Sequence, residues 1–590
     1  MNNERILPIQ STYDVISFSL LLDGKEADPA YQVLSITVTK EVNKVPTARI
    51  TLVDGEAAAE DFPVSNKADF VPGKQVEIKA GRDGNNDTIF KGIIVKHGIK
   101  VSASGSTFLS VECKDESVKM TIGRKNKYYE KKKDSEIIKQ LLGNYGLAGK
   151  VDATQLKHDE MVQHHATDWD FMLCRAEANG LLVIPDDGKA DVKAPDTNGK
   201  AALTLIFGES LIEFEAEMDA RHQYKKVKAS GWSPAEQKIK ESVASSASFT
   251  ENGNLTGAKL SDVIGLAEYE LRHSGPLDAG ELKAWADACM LKSRLAKIRG
   301  RAKCLGLSLL KPGILVELKG VGDRFNGKVY VTAVKHEIID GSWYSQVQFG
   351  LSPQWFYQQM DVVEEPAGGL LPAIHGLQVG KVVKMHEDPD GEHRVQVKLP
   401  ILDGQAKGVW ARMASLDAGK ERGAFFRPEV DDEVIVGFIN GDPRDPVVVG
   451  MLHSSKLPAP ITADQKNTEK GFVSREKMRI IFNDVDKIIT IDTPAGNSIV
   501  ITEKDKAIEV TDQNKNKLMM NDQGIELYSP KDIKLVAKGK IELTATQDIK
   551  IDGMNVEAKA KMEFKAEGSA GAKLKSGGIT EIKGSMVNIN

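Results

Sequence analysis

Three copies of one short unit decide how the C-terminal part of this chain folds: Asp532-Ile533-Lys534-Leu535, Lys540-Ile541-Glu542-Leu543 and Asp548-Ile549-Lys550-Ile551. In each copy charged and aliphatic residues alternate, which is the period of a half-buried strand. The copies begin eight residues apart. Less regular copies follow around Val556, Met562, Leu574, Ile582 and Val587. A fixed short period of strand and corner predicts a β-solenoid.

These repeats cannot close a core within one chain, because each offers only two apolar positions. If the repeats of each chain form one flat wall, three walls with their apolar faces inward close into a triangular prism that has no long exposed edge. We therefore predict a homotrimer in which residues 476–590 form a triple-stranded β-helix, called the needle below. Its predicted core consists of the aliphatic residues of the regular copies: Ile533, Leu535, Ile541, Leu543, Ile549 and Ile551. The alternatives are an amphipathic tail packed on the body and a low-complexity tail.

A second β-rich segment, residues 376–453, is dense in Val and Gly and has no helical period. Runs such as Val395-Gln396-Val397 and Val447-Val448-Val449 predict about five short strands, which is the size of a small OB-type barrel. The composition of Pro366-Ala367-Gly368-Gly369 indicates a linker ahead of this barrel.

The N-terminal part of the chain combines strands with helices. Alternating apolar residues between about 30 and 115 predict a series of strands that form a barrel or sandwich. Helices are predicted with Asp134 or Ser135 as the cap, with Thr167 or Asp168 as the cap, and over 282–302. Residues 233–257 are polar and are predicted to form a long loop. The predicted fold class is mainly β, with helical insertions in the N-terminal barrels.

Composition argues against several classes of protein. The chain has 590 residues and a formal net charge of −5, so no nucleic-acid partner is expected. No apolar run approaches the roughly 18–20 residues that span a bilayer. The first residues, Met1-Asn2-Asn3-Glu4-Arg5-Ile6, are too polar for a signal peptide, and assembly in the cytoplasm is expected. The four cysteines form no CxxC pair and are expected to be small buried apolar residues.

The sequence contains no familiar catalytic motif: Walker-type, GxSxG, HExxH and GxGxxG patterns are absent. His158, His164 and His165 lie close together, but no carboxylate or cysteine set completes a metal-ligand pattern. The segment 388–392 fits a hairpin turn better than a calcium loop. No catalytic residue, cofactor site or metal site is predicted, and an enzyme is not expected. An unrecognised cell-wall hydrolase and a trimeric fibre or adhesin are the alternatives.

Several stretches of the barrel segment occur in a familiar order: Gly380-Lys381-Val382-Val383, Trp410-Ala411-Arg412, Val436-Gly437-Phe438 and Gly441-Asp442-Pro443-Arg444. Through them, residues 376–453 resemble the OB-fold domain of VgrG spike proteins and of the phage central spike. With Asp168-Trp169-Asp170-Phe171 and Gly322-Asp323-Arg324-Phe325-Asn326-Gly327, residues 30–360 look like the tube-like hub of the same family. The C-terminal repeats match the needle of that family.

This resemblance implies a structural part of a contractile, phage-tail-like injection machine. Three chains would present six similar barrels to a hexameric inner tube, with baseplate proteins, effectors or cargo, and the target cell envelope as further partners. No cofactor and no catalytic payload are implied, and assembly in the bacterial cytoplasm is followed by delivery outside the cell. The implied segments are a hub at 1–365, a linker at 366–375, an OB-fold domain at 376–455, a linker at 456–475 and the needle at 476–590.

The segment 584–590, Gly-Ser-Met-Val-Asn-Ile-Asn, continues the strand pattern without a charged capping residue. A prism with this end exposes apolar side chains and unpaired strand edges, which proteins normally cover. In the family a small PAAR-type cone fills this place and carries any metal. The resemblance therefore implies that a PAAR-like tip protein binds Met586, Val587, Ile589 and Asn590. Type VI secretion and extracellular injection systems both remain open, and the absence of an effector segment slightly favours the extracellular kind.

Overall fold

The computed structural model describes residues 15–245, 250–359, 362–402 and 407–589. Strands hold 39% of the residues and helices 12%, so the prediction of a mainly β chain is confirmed. The polar N-terminal segment 1–6 lies outside the described residues. No helix in the described ranges is long and apolar enough to cross a membrane.

The chain forms two compact units, one of residues 1–377 with 437–446 and one of residues 378–436 with 447–590. The elements of the first unit are β1 (Ile16–Leu22), β2 (Lys25–Glu26), β3 (Val33–Glu41), β4 (Thr47–Val53), β5 (Gln75–Arg82), β6 (Asn85–Val101), β7 (Thr107–Lys114), β8 (Lys125–Lys133), α1 (Asp134–Gly143), β9 (Lys157–Ala166), α2 (Asp168–Ala178), β10 (Leu182–Asp186), β11 (Lys189–Lys193), β12 (Leu203–Ile206), β13 (Glu213–Met218), β14 (Val227–Ser233), β15 (Lys238–Val243), α3 (Gly257–Ile264), β16 (Tyr269–His273), α4 (Ala279–Leu295), β17 (Ile298–Leu305), β18 (Leu315–Lys319), β19 (Gly327–Ile339), β20 (Ser342–Phe349) and α5 (Phe356–Gln359). Short 3-10 turns lie at Ala68–Phe70, Glu116–Thr121 and Pro366–Gly369.

A single 13-stranded sheet is the framework of this unit. Its order is β13-β17-β20-β19-β3-β4-β7-β6-β5-β1-β2, with β18 beside β19 and β12 beside β18. Apolar residues alternate along the strands and bury two separate cores, one around Ile50 and Leu109 and one around Val331 and Val347. Two cores on one sheet are consistent with a hub made of two barrel-like halves.

Two insertions carry most of the helices. The first insertion packs α1 and α2 against the antiparallel strand pair β8–β9 and against the β10–β11 hairpin. Helix α2 begins after Thr167 as predicted, because the Thr167 hydroxyl oxygen accepts a 3.0 Å hydrogen bond from the Asp170 backbone N–H. The second insertion packs α4 against the three-stranded sheet β15-β14-β16.

The structure corrects two predictions at this second insertion. The helix predicted over 282–302 ends at Leu295, and strand β17 follows from Ile298. There burial alternates with the period of a strand, since Ala302 and Cys304 are buried and Arg301 is exposed. The predicted loop at 233–257 contains β15, a polar edge strand that pairs with β14.

The second unit contains β21 (Gln378–Lys384), β22 (Val395–Lys398), β23 (Val409–Met413), β24 (Ala418–Gly419), β25 (Arg422–Gly423), β26 (Glu433–Phe438), β27 (Pro446–Met451), β28 (Glu469–Val473), β29 (Arg479–Asn483), β30 (Ile488–Asp492), β31 (Ser498–Thr502), β32 (Ala507–Thr511), β33 (Lys517–Asn521) and β34 (Gly524–Tyr528). Strands β21-β22-β23-β27-β26 close into a barrel, which confirms the predicted five-stranded OB-type domain. Its core consists of valines: Val382, Val395, Val397, Val434, Val436 and Val448.

Strands β28 to β34 form a seven-stranded antiparallel sheet in which each strand pairs with the next. The sheet begins at Glu469, inside the segment predicted to be a linker, and its strands pair with one another within a single chain. The reason is local, because tight turns close hairpins within the chain. Gly496 and Gly524 supply positive φ angles of 97° and 127° at or beside two of these turns. Residues 529–589 contain no strand and no helix within a single chain.

Candidate functional site

One face of the β28–β34 sheet is apolar except at Lys470, which pairs across strands with Phe482. Cross-strand pairing places two rows of side chains on this face, because partners directly opposite each other in a sheet share a face. The first row is Phe472, Ile480, Ile491, Ile499, Val510, Leu518 and Leu527. The second row is Phe482, Ile489, Ile501, Ile508, Met520 and Ile525. We call these two rows the apolar face.

The apolar face is open in the single chain. Phe472 is 52% exposed, Ile501 42% and Leu527 56%. The face is concave, and a cavity of about 500 Å³ is lined by residues of the first row. Contiguous apolar surface of this kind marks a contact site, because monomeric proteins rarely leave it uncovered.

The opposite face of the same sheet mixes paired charges with apolar residues such as Val500 and Ile481, of which Ile481 is only 9% exposed. The Arg479 guanidinium donates a 2.9 Å hydrogen bond to Asp492, and Lys517 forms a 2.8 Å ion pair with Glu509. The charged residues of these strands thus lie on this face. Sequence reasoning missed this arrangement because it treated 476–590 as uniform repeats, although pairs such as Ile499 and Ile501 between turn residues are a hairpin signal.

The predicted needle core lies in the described residues without strand or helix. All six side chains are more than half exposed in a single chain: Ile533, Leu535, Ile541, Leu543, Ile549 and Ile551. Their place in a trimer core stays a prediction. They alternate with charged residues, as in Lys540 and Glu542, which pair with each other.

The predicted tip residues are also exposed. Met586 is 78% exposed, Val587 48% and Ile589 86%. Asn590 lies outside the described residues. Three apolar side chains close together in sequence thus face solvent in the single chain.

The hub contains several buried ion pairs, including those of Lys40 and Lys297, and the most extensive at a carboxylate is the one around Asp134. Its carboxylate accepts hydrogen bonds from Arg175 at 2.7 and 2.9 Å and from Asn179 at 2.9 Å, and His158 lies 3.1 Å away. Burial raises the pKa of this carboxyl, but the bonds from His158 and Arg175 outweigh it and hold the pKa of Asp134 well below its usual range. Both oxygens are occupied, so the cluster is a structural ion pair.

The other polar groups singled out in the sequence do not form a site. His158 is buried beside Asp134, whereas His164 is exposed and lies 3.9 Å from Glu364. The described residues include no group of three His, Cys, Asp or Glu side chains that could hold a metal ion. Asp388 accepts bonds from backbone N–H groups of the 388–394 turn, consistent with the interpretation of a hairpin turn.

Three of the four cysteines are buried as expected, whereas Cys174 is partly exposed. Burial raises the pKa of Cys113 and of Cys289 to about 12, so both stay protonated at neutral pH. Cys304 is also buried. These three behave as the small apolar residues that were expected.

Two family models match the sequence. The model described as the Alg8 N-terminal domain matches residues 12–340, and the model of the type VI secretion system/phage-baseplate injector OB domain matches residues 378–453. The first covers more than half of the chain. The second covers the closed barrel described above.

The chain is also similar to curated proteins and to a solved structure. The chain is 25% identical over 240 residues to the type VI secretion system spike protein VgrG1b of Pseudomonas aeruginosa, covering 38% of this chain and 31% of that protein. It is 36% identical over 109 residues to spike protein VgrG5 of the same organism, covering 17% and 14%. A solved Escherichia coli component of the type VI secretion system has 14% identity and a TM-score of 0.37, covering 73% of this chain and 99% of that one.

The chain spans 31% and 14% of the lengths of these two curated relatives. The first family model nevertheless matches more than half of the chain, and that extent shows the family. The injector model matches the barrel. The chain therefore belongs to the Alg8 N-terminal domain family and is a VgrG-like spike protein of the type VI secretion and phage-baseplate kind.

Proposed function

We propose that this chain assembles as a homotrimer and acts as the central spike of a contractile, phage-tail-like injection machine. The apolar face of β28–β34 is the observation that carries the proposal. It is fully formed within one chain and left open there. Three such faces turned toward a threefold axis cover one another and leave the three polar faces in water.

The repeats at 529–589 support the same assembly. Their aliphatic residues are exposed and their backbone has no strand partner in one chain. Backbone groups and apolar side chains normally both find partners in a folded protein. Two further copies of the chain supply both, in the closed prism that the eight-residue period predicts.

We propose that the hub adapts this threefold needle to the inner tube. Its sheet carries two separate cores, so three chains offer six similar halves to a hexameric tube, with baseplate proteins around them. The role is mechanical: the tube pushes the trimer, and the needle transmits the force to the target envelope together with its cargo.

The trimer is delivered outside the cell by the contracting machine, in either a type VI or an extracellular system. Both kinds of machine need the same properties of the spike, namely a stiff point and a threefold base. A closed prism supplies stiffness because its backbone hydrogen bonds are mutually satisfied and local opening is costly.

Charges placed in the predicted needle core test the proposal. The change Ile541→Asp with Ile549→Asp puts six carboxylates into a dry core of three chains, and burying an unpaired charge is strongly unfavourable. We expect this variant to lose the trimer or its solubility, as followed by light scattering. Lys534→Asp with Lys550→Asp is the matched control, because these residues alternate with the core positions and face water in the prism.

The proposal fails if the Ile541→Asp, Ile549→Asp chain stays a soluble trimer with unchanged resistance to urea. It also fails if the control variant loses the trimer to the same degree, since the two faces of the repeat are then equivalent.

We further propose that a small PAAR-like tip protein, which brings any metal itself, binds the apolar residues Met586, Val587 and Ile589. Their exposure supports the proposal, because uncovered apolar ends of solenoids need a cap. A chain truncated after Gly578 is expected to lose the partner in a pull-down, whereas the full chain keeps it. Equal recovery by both chains rules this site out.

A further inference from the structure

A lysine of the first unit is buried against two neighbouring carboxylates. Lys40 of β3 is only 2% exposed, and its Nζ contacts Asp186 Oδ1 and lies 2.9 Å from Asp187 Oδ1. The two aspartates lie at the tip of the β10–β11 hairpin, in the first insertion. The cluster therefore joins a strand of the framework sheet to an insertion, across 147 residues of sequence.

The Asp187 carboxyl is held firmly in place. Asp187 and Gly188 have φ angles of 53° and 79°, as in two-residue type I′ hairpin turns. The Gly188 backbone N–H donates a 2.7 Å hydrogen bond to the carboxylate of Asp115. The Lys91 backbone N–H donates a 2.8 Å hydrogen bond to Asp187 Oδ1. The Lys40 nitrogen thus lies beside a carboxyl whose Oδ1 already carries a donor, which is the arrangement that stabilises an oxyanion.

The two carboxyls differ in how readily they take up a proton. Burial raises the pKa of Asp187, and the attraction of Lys40 does not offset this effect. Burial also acts on Asp186, but the charge of Lys40 and a 2.7 Å hydrogen bond from Lys311 outweigh it and lower the pKa of Asp186. One amine is therefore flanked by a carboxyl that is more easily protonated and by a carboxylate that can act as a base.

We propose that Lys40 and Asp187 join within the chain in an amide bond between their side chains. Asp186 takes one proton from the Lys40 ammonium, and the freed amine attacks Cγ of the protonated Asp187 carboxyl. The Nζ–Cγ bond forms and the bond from Cγ to the Oδ2 hydroxyl breaks, and this hydroxyl leaves as water with the proton held by Asp186. A second proton passes from the nitrogen to Asp186, which releases it to solvent. The reaction requires no oxidant and no co-reactant.

The bond relieves a crowded and poorly solvated cluster of charges. Taking charges out of water offsets much of the attraction within a buried ion pair, whereas an amide carries no charge. The amide oxygen keeps the hydrogen bond from Lys91, and Lys311 and Asp186 remain as a matched ion pair. Asp186 is 31% exposed, so the released water has a way out on its side of the cluster. Burial remains the main cause of the low pKa of His336 when the Lys40 charge is lost.

Mass spectrometry of the full-length chain tests the link. The intact mass should be lower than that of the sequence by one water molecule, and a digest should contain a branched peptide that joins Lys40 to Asp187. Lys40→Arg keeps the positive charge but has no primary amine, so this variant should lose both signals. Lys74→Arg is the matched control and should keep both, because Lys74 forms its 2.6 Å ion pair with Asp23 at the surface.

Denaturing electrophoresis gives a second measurement. The link closes a loop of 147 residues and makes the denatured chain more compact, so the unsubstituted chain and Lys74→Arg should both migrate ahead of Lys40→Arg. Equal migration of all three chains contradicts the link.

A full-length chain with the unmodified mass overturns this inference. A loss of water that persists in Lys40→Arg and yields no branched peptide also overturns it, since that result indicates a cyclic imide at an Asp-Gly pair such as Asp187-Gly188. Either result leaves the proposed function intact, because the link lies within one chain.

Discussion

At the residue scale, the hub buries a histidine that cannot carry a charge. His336 is 2% exposed, its Nδ1 lies 2.7 Å from the Ser345 hydroxyl oxygen, and its ring lies 6.0 Å from that of Trp343. Burial, reinforced by the positive charge of Lys40, lowers the pKa of His336 to about 3. The imidazole is therefore neutral in the folded chain over the whole range in which a free histidine titrates.

This depressed pKa makes hub stability depend on pH. Between pH 6.5 and about 3 the unfolded chain binds a proton at position 336 and the folded chain does not, so stability falls as the pH is lowered through this range. His336→Gln can keep a hydrogen bond to Ser345 and does not titrate. Between pH 7.5 and 5 the free energy of unfolding of the unsubstituted chain should fall by about 2 kcal/mol more than that of the variant.

Urea unfolding followed by tryptophan fluorescence measures this difference, because five of the six tryptophans lie in the first 365 residues. His164→Gln is the control, as that side chain is 70% exposed. The same pH dependence in the unsubstituted chain and in His336→Gln contradicts the prediction.

At the scale of elements, the C-terminal part consists of two segments that depend on assembly to different degrees. Strands β28 to β34 make their ladder hydrogen bonds within one chain. Residues 529–589 make none within one chain. In the proposed trimer, the first segment holds its strands before association, whereas the second orders its backbone against the other copies, a case of folding coupled to binding.

Hydrogen exchange should separate the two segments. In the full-length trimer, amides of both are expected to be protected. In the Ile541→Asp, Ile549→Asp variant the amides of 529–589 should lose protection, while those of β30 to β33 keep it because their partners are in the same chain. Mass spectrometry of peptides from both segments gives the result. Loss of protection in both segments together, or in neither, contradicts this division of the C-terminal part into two segments.

These elements also show how far sequence reasoning reaches. Period-two patterns found the valine strands of the barrel, and Thr167 marked the start of α2. Short-range patterns could not tell whether Ile499 pairs with its own chain or with another, since the period is the same in both cases. The stack of Phe426 on Phe472 could not be predicted, because it is a contact between distant parts of the sequence.

At the scale of the whole molecule, we propose that three copies of the chain form one symmetric structural assembly. We propose that the hub, the closed barrel and the repeats share one task, which is to turn the sixfold symmetry of a tube into a single stiff point. The apolar face and the repeats after Tyr528 are exposed in the single chain. The proposed threefold assembly would cover both surfaces at once, so the number of chains is the central claim.

The mass of the full-length protein tests that claim most directly. Light scattering during size-exclusion chromatography at micromolar concentration should give a single species of three times 64.4 kDa. The trimer should persist on dilution, because its contacts bury apolar residues worth roughly 1.5–3 kcal/mol each. A monodisperse monomer or dimer under the same conditions contradicts the account.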